Sequence, residues 1–140
     1  MAKRFVLPFL AILAAWMLID ALAHRVLLEP LYALSPNLWR PITEINTMLV
    51  VLATLVLVLV FVLLFEVLVR PKALSTGLLM GGIVGIALGT ASGLGTYIHS
   101  PIPGSLAIAW SALGILKGLV AGAILGAFAR RAVSSSTRGA

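Results

Sequence analysis

Three ionisable residues sit inside long apolar runs of this chain: Asp20, His24 and Lys117. Ionisable groups in such surroundings are costly and are candidates for function by default. Asp20 and His24 are four positions apart, so a helix places them on one face, with Trp16 one turn earlier. Lys117 stands between Gly114 and Gly118 in the last apolar run. At a rise of ~1.5 Å per residue, Asp20 lies roughly 22 Å beyond Phe5, and Lys117 roughly 17 Å before Phe128. Side chains lean towards the helix N-terminus, so an Asp20–Lys117 pair with His24 beside it is within reach. Such a group could relay protons or hold a polar ligand. The simpler reading, and the preferred one, has Lys117 snorkel to a boundary while Asp20 caps polar groups of a loop.

His24 and His99 are the only histidines, and each closes an apolar run. Two histidines on neighbouring helices can ligate a b-type haem, or join Asp20 or Glu44 in a metal site. Two histidines without a surrounding motif are more simply polar boundary residues, so no cofactor and no metal is expected. Trp39 and Arg40, with Glu44 and His99, make the densest polar group at the same boundary. Glu66 and Arg70 have the spacing of a helical ion pair. No serine–histidine–acid set, phosphate loop or HExxH motif occurs, so catalytic residues are not expected and the chain reads as a non-enzyme.

The elements that carry these residues follow from composition. Of 140 residues, 61% are hydrophobic and 10% charged, and the mean hydropathy is +1.17. Soluble domains carry about 25% charged residues, so this balance points to an integral membrane protein. The net charge of +6 is concentrated at the ends of apolar runs, which disfavours nucleic acid as a partner and points to the lipid bilayer. Without cysteine, disulfides and thiolate chemistry are excluded.

Two stripes of glycine organise the pattern. Gly77, Gly81, Gly85, Gly89 and Gly93 recur at every fourth position, and so do Gly114, Gly118, Gly122 and Gly126. That spacing keeps each set on one slowly drifting stripe of a helix. In water each glycine costs a helix roughly 1 kcal/mol against alanine. In a bilayer such stripes let two backbones approach closely. The expected fold is therefore an all-α integral membrane protein, a four-transmembrane-helix bundle with a glycine-zipper hairpin formed by the third and fourth helices.

Taken in order, the expected helices cover about 5–26, 45–69, 75–98 and 105–129, in one domain of residues 1–131. The first begins after Lys3 and Arg4 and tolerates Pro8 in its first turn. Ala21-Leu22-Ala23 imitates a signal cleavage site, but Asp20 directly before it argues for a retained helix. The loop 27–44 is punctuated by Pro30, Pro36 and Pro41, and Tyr32 and Trp39 suit the headgroup level. Thr43 is expected to cap the second helix with Glu44 in its first turn, and Ser75 or Thr76 the third. The second helix is nearly all Leu and Val from Leu49 to Phe65, shows no polar face, and should be an antiparallel neighbour of the third. Residues 132–140 read as a disordered tail.

Lys3, Arg4, Arg70, Lys72, Arg130, Arg131 and Arg138 fall on one side of this arrangement, which predicts cytoplasmic termini and a periplasmic 27–44 loop. Asp20-x-x-x-His24, Leu28-x-Pro30-Leu31-Tyr32, Leu38-Trp39-Arg40-Pro41 and Pro101-Ile102-Pro103-Gly104-Ser105-Leu106-Ala107 resemble a family of small bacterial four-helix inner-membrane proteins without an assigned function. The resemblance implies a multi-pass protein of the bacterial inner membrane and no functional residues. The favoured expectation is an accessory subunit or self-associating bundle, a homo-oligomer or a part of a larger membrane complex. The alternatives are an oligomeric proton-linked permease using Asp20, His24 and Lys117, and a haem- or quinone-binding protein using His24 and His99.

Overall fold

The computed structural model describes the backbone of residues 2–137 and the side chains of residues 5–129, Ile42 excepted. Every regular element among the described residues is helical. α1 covers Ala2–Leu22 and runs into a π-helical turn, Ala23–Leu27. A short α2, Glu29–Tyr32, and two 3-10 turns, Pro36–Leu38 and Ile42–Glu44, lead to α3, Thr47–Leu68. α4 covers Leu74–Ser92, α5 Leu94–His99 and α6 Gly104–Thr137. Four stretches are long and apolar enough to cross a membrane: Phe5–Leu27, Thr47–Leu68, Leu74–His99 and Gly104–Ala129.

The boundaries depart from the expected ones where local chemistry intervenes. The turn after α1 widens, with the Leu28 amide bonding the Ala23 carbonyl at 2.8 Å. In an α-helix the ring of Pro30 would strike the carbonyl of Val26, and the wider turn comes just ahead of it. Asn46, not Thr43, caps α3, its side chain accepting from the Leu49 amide at 3.2 Å. Glu44 consequently stays outside that helix. The N-cap position of α4 falls to Ala73, and Thr76 caps it from within the first turn. Thr76 stands three residues inside, where its hydroxyl accepts from the Ala73 amide at 3.1 Å and meets the Pro71 carbonyl at 2.7 Å. The third run breaks at Gly93 into α4 and α5. α6 continues through Thr137, past the expected end near 129, so part of the expected tail is helical. Residues 138–140 of that tail, and the side chains of Lys3, Arg4, Arg130, Arg131 and Arg138, lie outside the described residues.

α4 and α6 run antiparallel and make the most extensive helix contact in the protein. They meet through the glycines. A Cβ on Gly118 would stand 2.6 Å from the Gly85 Cα, and one on Gly114 2.6 Å from the Gly89 nitrogen. A Cβ on Gly77 would stand 3.1 Å from the Gly126 nitrogen, and one on Gly126 2.6 Å from the Leu74 Cα. From Gly89 the partner changes: Ser111 faces Gly89, and Ser111 and Ala107 face Gly93. Along the glycine contact, from Gly77 to Gly89 and from Gly114 to Gly126, every obstacle is backbone, so no rotamer change could admit a side chain there; at Gly93 the Ser111 hydroxyl stands beside the backbone of Ala107 and Ser111.

α1 lies antiparallel on α6, with Ile12 near Leu125 at one end and Ala23 and Leu28 near Leu106 at the other. α3 presents Val58, Phe61, Val62 and Phe65 to the same core, and the Trp16 and Phe61 rings meet edge to face at 5.2 Å. α3 touches α4 only slightly, so the expected pairing of these two consecutive helices gives way to contacts of α3 with α1. An apolar groove of about 380 Å³ runs between Phe5, Val6 and Phe9 and the middle of α3 at Leu55, Val56 and Leu59. A helix clothed in Leu and Val on all sides carries no feature that singles out one neighbour or one tilt.

This packing separates two adjacent glycines. The Gly81 Cβ position meets the Gly118 carbonyl and lies 3.0 Å from the Gly122 Cα, whereas that of Gly82 meets only the tip of Leu119 at 3.5 Å. Gly81→Ala is expected to destabilise the detergent-solubilised protein by about 1–3 kcal/mol through overpacking. Gly82→Ala should stay within about 0.5 kcal/mol of wild type. Thermal unfolding of both variants checks the contrast, and equal effects would contradict it.

Candidate functional site

α1 delivers Trp16 and Asp20 to the surface where α6 delivers Lys117. The two helices are antiparallel, and the four-residue spacing on α1 turns both side chains towards α6. The Lys117 ammonium donates to both carboxylate oxygens of Asp20, at 2.8 and 2.7 Å. It also sits 4.8 Å from the centre of the Trp16 ring, a cation–π distance. Trp16 Nε1 donates to the Lys117 backbone carbonyl at 2.9 Å. Trp16 itself is 1% exposed, while the Lys117 and Asp20 side chains are 18% and 25% exposed. The structure thus brings the acid and the amine together, where the preferred snorkelling reading kept them apart. The reason is geometric: Lys117 directly precedes Gly118, so it stands beside the glycine face, and its ammonium lies in the seam that α1 fills.

His24 takes a different partner from the one expected. Its ring stacks on Tyr32 at 5.9 Å and 17°, and its Nδ1 is hydrogen-bonded to the Tyr32 hydroxyl. Trp110 Nε1 donates to the same hydroxyl at 3.0 Å, and Trp39 Nε1 donates to the Tyr32 carbonyl at 3.0 Å. Trp39 and Trp110 pack edge to face at 5.9 Å. Beneath this aromatic group lie Ala23, Leu28, Ile102, Leu106 and Ala107. Burial pushes the Tyr32 phenol above its ordinary range; the Trp110 hydrogen bond acts against that, and the charge of Asp20 adds to it.

The other expected residues stand apart from this group. Arg40, Glu44 and His99 are exposed and, among the described residues, their side chains make no hydrogen bond, ion pair or ring contact. The expected cluster of Trp39, Arg40, Glu44 and His99 is therefore split. The indole of Trp39 turns inward onto Tyr32 and Trp110, while the charged groups stay where water can reach them. No described contact joins His24 to His99. Glu66 pairs with Lys72, not Arg70. Val69 is already extended, so Arg70 leaves the helical path before the four-residue spacing applies, and donates to the Glu66 backbone carbonyl at 3.0 Å.

Sequence reasoning missed Trp110. The available signal was its place near the start of the fourth apolar run, at the depth of the interfacial aromatics Tyr32 and Trp39.

Fold and site together define an all-helical protein with four helices long and apolar enough to span a membrane, its first and last tied by one partly buried ion pair. Comparison with known protein families, with curated proteins and with solved structures finds no match to this chain.

Removing one member of the ion pair leaves the other charged in an apolar seam. Lys117→Met should therefore destabilise the protein more than the double variant Asp20→Asn/Lys117→Met. A double-mutant cycle followed by thermal unfolding in detergent is expected to give a coupling of about 1–2 kcal/mol. Trp16→Phe, which keeps the ring and loses the indole donor, should cost about 1 kcal/mol. Strict additivity in the cycle would show that the pair contributes nothing.

Proposed function

We propose that this chain is a multi-pass protein of a bacterial inner membrane whose role is structural: an accessory subunit or self-associating bundle without catalysis of its own. The observation that carries this reading is the use made of its polar inventory. Lys117 gives hydrogen bonds to both oxygens of Asp20 and its carbonyl to Trp16, and His24 bonds Tyr32. Groups that could do chemistry hold helices together. Meanwhile α3 leaves a broad apolar surface uncovered, including Met48, Leu49, Leu52, Val56 and Val67. That surface fits lipid or the apolar helices of other subunits.

In this reading the α4–α6 contact acts as a glycine zipper. It makes a glycine-packed hairpin on which α1 is mounted, with α3 chiefly on α1. Both termini face the cytoplasm, as the distribution of Lys and Arg favours. The partly exposed Asp20–Lys117 pair favours one second reading, a small oligomeric proton-linked permease with His24 as a further group. In that case the double variant Asp20→Asn/Lys117→Met, which strands no charge, would abolish proton flux in proteoliposomes.

Two measurements test the structural role. Native mass spectrometry from mild detergent or nanodiscs should recover the chain as a homo-oligomer or with other subunits, and an isolated monomer in both would overturn it. Because the chain lacks cysteine, single cysteines report orientation cleanly. Asn37→Cys in intact cells should react with a membrane-impermeant thiol reagent, and Ser136→Cys only after permeabilisation. The reverse pattern would refute cytoplasmic termini.

A further inference from the structure

α1 and α3 meet at Trp16 and Phe61 but leave a groove of about 380 Å³ between them. Phe5, Val6 and Phe9 form one wall, a single turn of α1, and Leu55, Val56 and Leu59 form the other, a single turn of α3. All six side chains are apolar, and Val6, Val56 and Leu59 stay exposed at its rim. Water in such a groove finds no side chain to bond. Both walls belong to helices long and apolar enough to cross a membrane, so in a bilayer the groove opens onto hydrocarbon.

Size decides between occupants. A helix with its side chains is about 10–12 Å across and docks through anchors spread over at least two turns. One turn on each wall is too short a seat for it. An apolar cavity of about 150 Å³ takes up one benzene, so in the same proportion this groove takes roughly fifteen carbon atoms, a single acyl chain. Charge decides the headgroup. Lys3 and Arg4 directly precede Phe5 in the first turn of α1, and no acidic residue comes before Asp20. The groove therefore begins one residue past two positive charges of the chain.

We propose that this groove binds one anionic phospholipid, an acyl chain lying between the Phe5–Phe9 and Leu55–Leu59 walls and the phosphate headgroup held by the charges of Lys3 and Arg4. Apolar burial supplies the affinity for the chain, and the basic pair supplies the choice of headgroup. The site is complete within one copy of the protein. It stands whether or not the chain is an accessory subunit, and whichever side its termini face.

Native mass spectrometry of the full chain, from detergent micelles with equal amounts of dioleoyl phosphatidylglycerol and dioleoyl phosphatidylcholine added, tests it. The wild type should retain one phosphatidylglycerol about fivefold or more over phosphatidylcholine, the increment of one basic residue beside an anionic lipid. Lys3→Gln/Arg4→Gln should still retain one lipid but without preference. Val6→Trp fills the groove from one wall and Leu59→Trp from the other. Each should retain both lipids about tenfold less, the loss of about two buried methylenes. Leu79→Trp, on an exposed position of α4 outside the groove, should behave as the wild type. Thermal unfolding shows which variants are folded, and either groove variant suffices for the test. The proposal fails if the wild type retains the two lipids equally, or if Lys3→Gln/Arg4→Gln keeps the preference. It fails also if a folded groove variant retains lipid like the wild type, or if Leu79→Trp loses it as well. A groove variant that abolishes a homodimer and leaves lipid retention unchanged would assign the groove to a second copy instead.

Discussion

Between α4 and α6 no side chain separates the two backbones over four turns. Each glycine placed there costs an isolated helix roughly 1 kcal/mol relative to alanine, and the contact has to offset that. What offsets it is proximity: dispersion between closely opposed backbones and weak Cα–H···O contacts, neither of which survives even small separation. The contact is correspondingly intolerant. Along the stripes from Gly77 to Gly89 and from Gly114 to Gly126 the atoms that a Cβ would strike are backbone oxygens, nitrogens and carbons, which cannot move aside unless the helices part.

α1 is mounted on α6, and α3 chiefly on α1. One side of α6 is committed to α4 through Gly114, Gly118, Gly122 and Gly126. The turn between two of those glycines carries Lys117, so fixing the glycine face also fixes the direction in which the amine points. Asp20 and Trp16 of α1 close on it from the other side, one by an ion pair and one by a hydrogen bond and its ring face. A little further along the same seam, Trp110 on α6 receives Tyr32 and with it the connection to α3. Glycine-packed hairpin, ion pair and aromatic cap thus follow one another along one packed helix.

α3 shows what happens where such specific chemistry is lacking. It buries Thr54, Val58, Phe61, Val62 and Phe65 but leaves its first turn uncovered. Shape alone, chiefly the fit of Phe61 against Trp16, decides where it sits. A helix held this way is the natural one to adjust to lipid or to a neighbouring subunit.

Much of this was legible in the residues themselves. Four apolar runs of spanning length, the four-residue glycine rhythm and the basic ends follow from composition and period, which are local properties of the chain. So was the possibility that Asp20 and Lys117 meet, because helical rise and side-chain lean are fixed by backbone geometry. The choice between meeting and snorkelling was not, since it depends on which helix fills the seam beside Lys117. Nor was the partner of His24, which is set by Tyr32 folding back over a turn widened ahead of Pro30. Trp110 and Tyr32 are 78 positions apart, and no local rule joins them. Glu66 chose Lys72 over Arg70 because the helix ended two residues too soon. Period and composition determined which segments are helices and which faces could touch; only the three-dimensional packing decided which faces did, because contacts between distant segments depend on competition among all of them at once.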